Sequence, residues 1–559
     1  MNNKYKALLA AAMVSPMLLT TSCIEEVFPT SGVVQSQLDG NDKAIQALAW
    51  GMSSHLNQVG TVDDSQAYDW GYASVMHARD VMIDDMPIAY SGYDWFQAWS
   101  TANDALNEQY MVCQFTWLYM CEQVLTANNT IRAVPRGTTD PELMGLRGAG
   151  LAFRAATYLD MARMYEFLPN NYQPNTNSYG NDVRGLTVPI VTEETTEEQS
   201  RNNPRVTHEE MVKFILADLE EAVDLLKAGN PTASKLLPSL AVTYGLLART
   251  YLWDATYHEM GYEHAGAGSA SDLYKKAADY ARLAITTSQA TPTSQEEWLS
   301  TTNGFNDMSV SSWMWAMKYS AEDRAVTSAL LNWVSWMSNE TEFGYAIAGP
   351  YVQISKSLYD KISDRDFRKL SYVAPEGSPL SGRESYIDPA FAEENFSEYF
   401  SLKFRPGSGS MTDNSIACAT AVPLMRVEEM YLLEAEAQAH INASEGVRLL
   451  NDFMQRYRYN TYRCTAASTD EAVTEIILQK RIELWGEGLL FFDYKRLNLD
   501  ITRYYNGTNY DNARALYNTS GRPAWMNYVI VRTEGNTNKG VLEYNNPPCG
   551  AQMSPVGGE

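Results

Sequence analysis

The chain has 559 residues, 45% of them hydrophobic and 20% charged, with a formal net charge of −25. That length and balance suit a folded protein with a sizeable core and exclude a disordered one. The acidity argues against nucleic acid, since phosphate binding needs clustered Lys and Arg, and against docking on an anionic membrane through charge.

The N-terminus carries its own signal. Lys4 and Lys6 precede an apolar run from Ala7 to Leu19, and small residues Thr20, Thr21 and Ser22 lead to Cys23. A run of roughly 13 residues, interrupted by Ser15 and Pro16, is too short for a bilayer-spanning helix and reads as an export signal covering residues 1–22. A cysteine directly after the cleavage point resembles a bacterial lipoprotein signal, in which the thiol is lipidated and becomes the new N-terminus. Cys23 is the expected attachment point, and several acyl chains on one residue would anchor it firmly. The alternative is a secreted protein in which Cys23 is an ordinary buried residue. The remaining cysteines form no CxxC pair, and Cys113 and Cys121 would sit about 12 Å apart along one helix, beyond disulfide reach. Mostly buried thiols are expected.

Helical periodicity dominates the rest of the chain. Segments 41–58 and 107–131 are amphipathic, and a longer helix is expected from Pro141 to Leu168, closed by Pro169. The polar stretch 170–206 reads as an insertion. Thr207 with Glu210 forms a capping box for a helix bearing Met211, Ile215, Leu219 and Val223 on one stripe. Further helices are expected from Pro238, from Ser271, from Pro423, from Ser444 and over about 470–486. Residues 291–421 dissolve into short apolar pieces among Gly, Pro, Ser and Tyr. From Asn498 onward the chain is again irregular, with one strand candidate at Asn527 to Arg532.

Ala162-Arg163-x-Tyr165 and Ala248-Arg249-x-Tyr251 share a local pattern, and Glu434-Ala435-Glu436-Ala437 likewise puts small residues on a crossing face. Each such helix is followed by a second amphipathic one, as in tetratricopeptide-like helix pairs whose period of about 34 residues has been broken by insertions. The expected fold is mainly α: a tetratricopeptide-like scaffold over about 41–290 and 423–497, with loop-rich insertions and a few short strands. A generic helical bundle is the alternative. Residues 23–559 are expected to form a single domain, with 291–421 as a loop-rich ligand-side insertion and 498–559 as an irregular C-terminal region.

The late blocks PLMRVEEMYLLEAEAQA (423–439) and ILQKRIELWGEGLLFFDYKRLN (477–498) resemble the paired signatures of the SusD/RagB family of nutrient-uptake lipoproteins. GLRGAGLAFRAATYLDMARMYEFLP (145–169) looks like that family's first long helix, and TWLYMCEQVLTANNTI (116–131) like its Tyr-containing helix ending in Asn. Glu25 and Glu26, just past Cys23, resemble the acidic surface-export signal of such lipoproteins. The resemblance implies a protein on the outer membrane, facing the exterior and held by its lipid. There it would capture a nutrient, most often an oligosaccharide, as the lid of a SusC-like TonB-dependent transporter. The signature residues Arg481, Glu483, Glu487, Asp493 and Arg496 are expected to form ion pairs that tie the last helix to the repeats rather than to touch ligand.

A sugar offers hydroxyls for hydrogen bonds and C–H patches that lie flat on aromatic rings, so a glycan site needs Trp and Tyr on loops held by a rigid scaffold. Two segments, 68–99 and 311–336, hold seven of the 13 tryptophans. From them come the candidate ligand-binding residues Trp70, Tyr72, Tyr90, Tyr93, Trp95, Trp99, Trp313 and Trp315, with Asp84, Asp85 and Asp94 nearby. An aromatic in a helical protein is more often core, the spacing of Trp333 and Trp336 fits a buried helix face, and the alternation of Trp313 and Trp315 fits a half-buried strand. Tyr90, Tyr93 and Trp95, beside Gly92 in a polar turn, are the strongest candidates. No HExxH, GxSxG, phosphate-cradling or CxxC motif appears, and the scattered histidines suggest no metal site; no cofactor and no catalysis are expected. Asp84 and Asp85 could be a glycosidase pair, although solvated loop acids are the simpler reading. A peptide-uptake component and a structural lid without its own ligand are the competing functions.

Overall fold

The structure is a computed structural model that describes residues 41–63, 65–229, 234–261 and 268–549. The export signal, Cys23, Glu25, Glu26 and the tail from residue 550 lie outside the described residues. The chain divides into residues 1–44 and 45–559. The described part of the first unit, residues 41–44, leads into helix α1 (Asp42–His55), and every later element belongs to the second unit.

Helices carry the architecture. After α2 (Tyr72–Val81) come α3 (Met111–Ala133), α4 (Pro141–Tyr165), α5 (His208–Ala228), α6 (Leu240–Glu259) and α7 (Ala270–Ser288). The series resumes with α8 (Val427–Ile441), α9 (Ala443–Tyr457), α10 (Thr469–Glu483) and α11 (Leu490–Arg496). Their starts are written locally. Asp140 caps α4 with Pro141 in its first turn, and α5, α7 and α10 open on capping boxes, Thr207–Glu210, Ser269–Asp272 and Ser468–Glu471.

Each helix packs on the next: α3 on α4, α4 on α5, α5 on α6, α6 on α7, α7 on α8, and α8 on both α9 and α10. This is the expected mainly α scaffold of helix pairs. Small residues set the approach. A Cβ on Gly148 would sit 2.9 Å from Leu226, and one on Gly446 would sit 2.5 Å from the Ala439 methyl. Arginine–carboxylate forks add to this: Arg154 grips Asp218 across the α4–α5 seam through two bonds of 2.8 Å, and Arg249 ties α6 to Glu429 on α8 through two of 2.6 Å.

Three elements differ from the sequence expectation. Pro423 does not open a helix; residues Ala421–Arg426 form strand β2, antiparallel to β1 (Trp313–Lys318), and α8 begins only at Val427. The ribbon buries apolar side chains on both faces, a tertiary gain that overrides the helical pattern read into 423–426. The last predicted helix breaks after Glu483, because Gly486 and Gly488 take φ of +75° and +71° and α11 restarts the chain at Leu490. A side chain at Gly488 would also meet Met76 at 2.7 Å. Asn527 to Arg532 pairs with no strand among the described residues. Its backbone is satisfied by isolated main-chain partners, Met164 for the Tyr528 amide and Glu108 for the Arg532 amide, and by amide side chains: Asn545 bonds both N and O of Ile530, and Asn546 donates to the Tyr528 carbonyl.

Beneath the loops, α10 and α11 are locked by buried charge. Glu483 accepts hydrogen bonds from Arg368 (2.8 Å), Arg426 (3.2 Å) and Arg458 (2.7 Å), and Glu487 accepts from Arg426 and from Lys403 (2.7 Å). Burial works to raise the Glu483 pKa, but the three guanidiniums outweigh it and hold the carboxyl well below its usual range. Asp493 pairs with Lys480 and Arg496, and Arg496 reaches Glu436 on α8. The signature residues form ion pairs, as expected, but only some reach the repeats: Arg496 ties to Glu436 on α8, whereas Glu483 and Glu487 also hold Arg368 and Lys403 of the loop-rich insertion, and Arg481 pairs with Asp84 and Asp85 after α2.

Candidate functional site

Asp94 organises the turn that follows α2. Its Oδ1 accepts from the Phe96 amide at 2.9 Å, and its Oδ2 accepts from Arg514 at 2.5 Å. The turn at Gly92 has φ of +77°, a conformation that favours glycine. Upstream, the Ala89 amide donates to the Tyr351 carbonyl and Ile88 bridges to Val352, so the chain entering the turn is stitched to a second loop. That second loop contributes the short helical turn Gly344–Ala348, whose Tyr345 hydroxyl accepts from the Trp95 amide at 3.3 Å.

These constraints present three rings. Tyr93 stands edge-on to Trp95 at 6.0 Å and to Tyr345 at 5.5 Å, with interplanar angles of 83° and 77°. Tyr93 and Trp95 are half-buried, whereas Tyr90 is 70% exposed. Beside them Ile347 is 74% exposed. Gly349 approaches Ser91 so closely that a Cβ on the glycine would lie 3.1 Å from the serine side chain, which fastens the two loops together. The second loop carries a further group of rings, Tyr351, Phe396 at 6.2 Å from it, Phe391 and Tyr386, all half-buried. Such a surface can stack the C–H faces of a sugar, or any flat apolar group, without rearranging.

Comparison with known proteins places this scaffold. A family model described as the SusD family matches residues 283–547, and one described as "Starch-binding associating with outer membrane" matches residues 40–252. Together the matches span most of the chain. The chain belongs to the SusD family. Among solved structures it is similar to a SusD-like carbohydrate binding protein from Bacteroides vulgatus ATCC 8482, at 20% identity over 90% of this chain and 98% of that one, with a TM-score of 0.68. A SusD superfamily protein from Bacteroides thetaiotaomicron VPI-5482 shares 20% identity over 90% and 99%, with a TM-score of 0.63. A laminarin binding SusD-like protein shares 17% over 91% and 99%, with a TM-score of 0.59. At these identities the likeness establishes the fold. No curated protein sequence matches the chain.

Within this SusD-family chain the eight aromatics singled out from sequence part company. Tyr93 and Trp95 come together at the surface, and Tyr90 is exposed on the same turn. Trp70, Trp99, Trp313 and Trp315 are buried, and Tyr72 donates its hydroxyl to Asp160 while accepting from Arg79. Trp99 packs against Phe96 and Tyr68, and Trp315 meets Phe153 edge-on. The strand that carries Trp313 and Trp315 is not half-buried; β1 is covered on both faces, so neither ring reaches solvent. Tyr72 and Trp315 do share a narrow internal cavity of about 30 Å³ with Gln123 and Arg249, room for water rather than a sugar.

The nearby acids are also committed. Asp84 and Asp85 are not solvated: Asp85 pairs with Arg481 at 2.5 Å, and Asp84 accepts from Tyr494 and from the Thr502 amide. Both belong to the buried lock. The residues missed from sequence are Tyr345, Ile347, Tyr351, Tyr386, Phe391 and Phe396. The loop-rich composition of 291–421 flags their region, but no periodicity marks which ring of a loop faces outward.

Proposed function

We propose that this protein is a cell-surface lipoprotein, anchored through Cys23, that captures an oligosaccharide and passes it to a SusC-like TonB-dependent outer-membrane transporter as its lid. Residues 23–559 act as one domain in this reading, with the helix pairs as scaffold and the loops of 86–100 and 340–400 as the binding side. The observation that carries it is the contacting pair Tyr93 and Trp95, with the exposed Tyr90 on the same turn, displayed on backbone that Asp94, Arg514 and Tyr345 hold in place. Rings fixed before binding lose little freedom when a sugar stacks on them, and the surrounding hydroxyls and amides can take its hydroxyls. The description of a matching family model as starch-binding and outer-membrane-associated, and the laminarin binding of a protein with the same fold, support the choice of a glycan. Binding here needs no catalytic group.

Calorimetric titration of the mature chain with a panel of oligosaccharides and peptides tests the reading. A glycan should bind, and Trp95→Ala should weaken it about tenfold or more, as loss of a stacking aromatic anchor does at other sites. Binding of a peptide, with every glycan silent, would replace the ligand class. A glycan whose affinity ignores Trp95→Ala would move the site away from these rings.

A further inference from the structure

Residues 503–514 lie in the irregular C-terminal region and form no helix or strand, yet their polar side chains reach three separate parts of the binding side. The segment first turns on itself. Gly507 takes φ of +80°, and the Thr508 hydroxyl donates to the Arg503 carbonyl at 2.8 Å while accepting from the Tyr510 amide at 3.2 Å. The result is a short braced strap carrying Arg503, Tyr505, Asn509 and Arg514.

Arg503 closes the base of the aromatic turn. It donates to the Val81 and Ile83 carbonyls, at 2.8 and 2.9 Å, where the chain leaves α2, and to the Ser100 carbonyl, where the chain returns. Both stems of the turn therefore hang on one guanidinium. Arg514 holds the apex, bonding Asp94 and, on the strap itself, Asp511.

Asn509 holds the second loop. Its side-chain amide donates to the Ile354 carbonyl at 2.9 Å and to Gln353 Oε1 at 3.0 Å, and its oxygen accepts from the Lys356 amide at 2.9 Å. The Tyr505 hydroxyl accepts from the Ser357 amide at 3.0 Å. The same stretch of the second loop pairs with the outgoing stem: the Gln353 amide donates to the Pro87 carbonyl and the Ser355 amide to the Asp85 carbonyl, both at 2.9 Å.

These bonds close a triangle of stem, apex and second loop. Main-chain pairing joins two of its corners, well before the rings. At the rings, the bond from the Trp95 amide to the Tyr345 hydroxyl is 3.3 Å long, beyond the usual range for N–H···O. The strap adds what that bond lacks, because it ties the Asp94 apex and the second loop to one braced segment. None of its bonds ends on Tyr90, Tyr93 or Trp95.

We propose that the 503–514 strap positions the aromatic site, with Asn509 as the positioning residue that fixes the second loop, carrying Tyr345, against the turn carrying Tyr93 and Trp95. Its effect on affinity rests on the glycan surface proposed above, whereas its hold on the rings is read without any ligand. Amide hydrogen exchange of the mature chain gives that reading. In Asn509→Ala the amides of 92–97 and 345–352 should exchange about tenfold faster, with those of α6 unchanged as an internal reference. Tyr505→Phe, which removes one acceptor, should move the same amides in the same direction by less, and it decides if Asn509→Ala does not fold. Calorimetry follows with maltohexaose and laminarihexaose, beside Trp95→Ala. Rings that a sugar must order for itself bind it less well, so Asn509→Ala should weaken binding about fivefold. Exchange that accelerates only within 353–357 and 503–514, or equally in α6, would overturn the assignment. Full affinity in Asn509→Ala where Trp95→Ala binds weakly would also overturn it. If neither substitution weakens binding, the glycan surface lies elsewhere, and if neither sugar binds, exchange alone decides for or against the strap.

Discussion

The ion-paired lock around Glu483 and the aromatic turn around Trp95 solve opposite problems with similar side chains. In the lock, Glu483 and the guanidiniums of Arg368, Arg426 and Arg458 are buried together, so each charge depends on its partners for everything water would have supplied. At the aromatic turn, the Asp94–Arg514 pair again sits below the surface, but what it holds is backbone, and the rings that backbone carries lean outward with few partners of their own. The difference teaches where sensitivity should lie. Removing a group from the lock strands charges, whereas removing a ring from the turn strands nothing.

The sharpest way to break this comparison is Glu483→Gln. It leaves three buried guanidiniums facing a neutral amide, and loss of one partner from a buried charge cluster costs roughly 3–5 kcal/mol. Urea unfolding should show that loss, with glycan affinity of the fraction still folded unchanged. A stability change below about 1 kcal/mol would mean that the lock is no more demanding than a surface pair.

The next effect is read by pH. Burial opposes ionisation of Asp160, but Arg79, Arg163 and the Tyr72 hydroxyl outweigh it and bring its pKa down to about 2 from 3.8. A carboxyl whose pKa is depressed in the folded state contributes stability that is present above its unfolded value and lost as pH falls through the folded one. For this group the window runs from about pH 4 to about pH 2, and the contribution is about 2 kcal/mol. Urea midpoints measured across that window should fall with pH, and the Asp160→Asn protein should show a shallower slope. An identical slope in both would remove Asp160 from the account.

The two regions also differ in how far they can be read from sequence. The lock is legible through the resemblance of residues 477–498 to a family signature, which implies ion pairs for Arg481, Glu483, Glu487, Asp493 and Arg496. The helix pairs are legible from the residues themselves: capping boxes such as Thr207–Glu210 and the stripe from Met211 to Val223 are local facts. Pro423 misleads because its strand is made by a partner a hundred residues away, β1, which no local pattern reveals. The aromatic site is half legible. Gly92 and its polar neighbours mark a turn, and Tyr90, Tyr93 and Trp95 fall on it. Trp70, Trp99, Trp313 and Trp315 look equivalent by composition, yet α2, β1 and their neighbours draw them into the core. Outward orientation of a ring is a tertiary property, and residues such as Ile347 and Phe396 acquire it only when the loops are stitched together.

Tyr90 is where the comparison can be tested at its finest. Its ring is 70% exposed, so truncation removes little packing, and Tyr90→Ala should leave stability within about 0.5 kcal/mol of wild type. The same substitution should still weaken glycan binding several-fold, less than Trp95→Ala, because Tyr90 is largely exposed whereas Trp95 packs on Tyr93 and has its amide held by Tyr345. Affinity should also change little between low and moderate salt, since a neutral sugar gains nothing from the chain's net charge of −25. If Tyr90→Ala lowers stability as much as affinity, the ring is part of the scaffold and the separation between holding and binding fails at its most exposed point. If it changes neither, the binding face narrows to Tyr93, whose ring packs on Tyr345, and Trp95, whose amide donates to the Tyr345 hydroxyl.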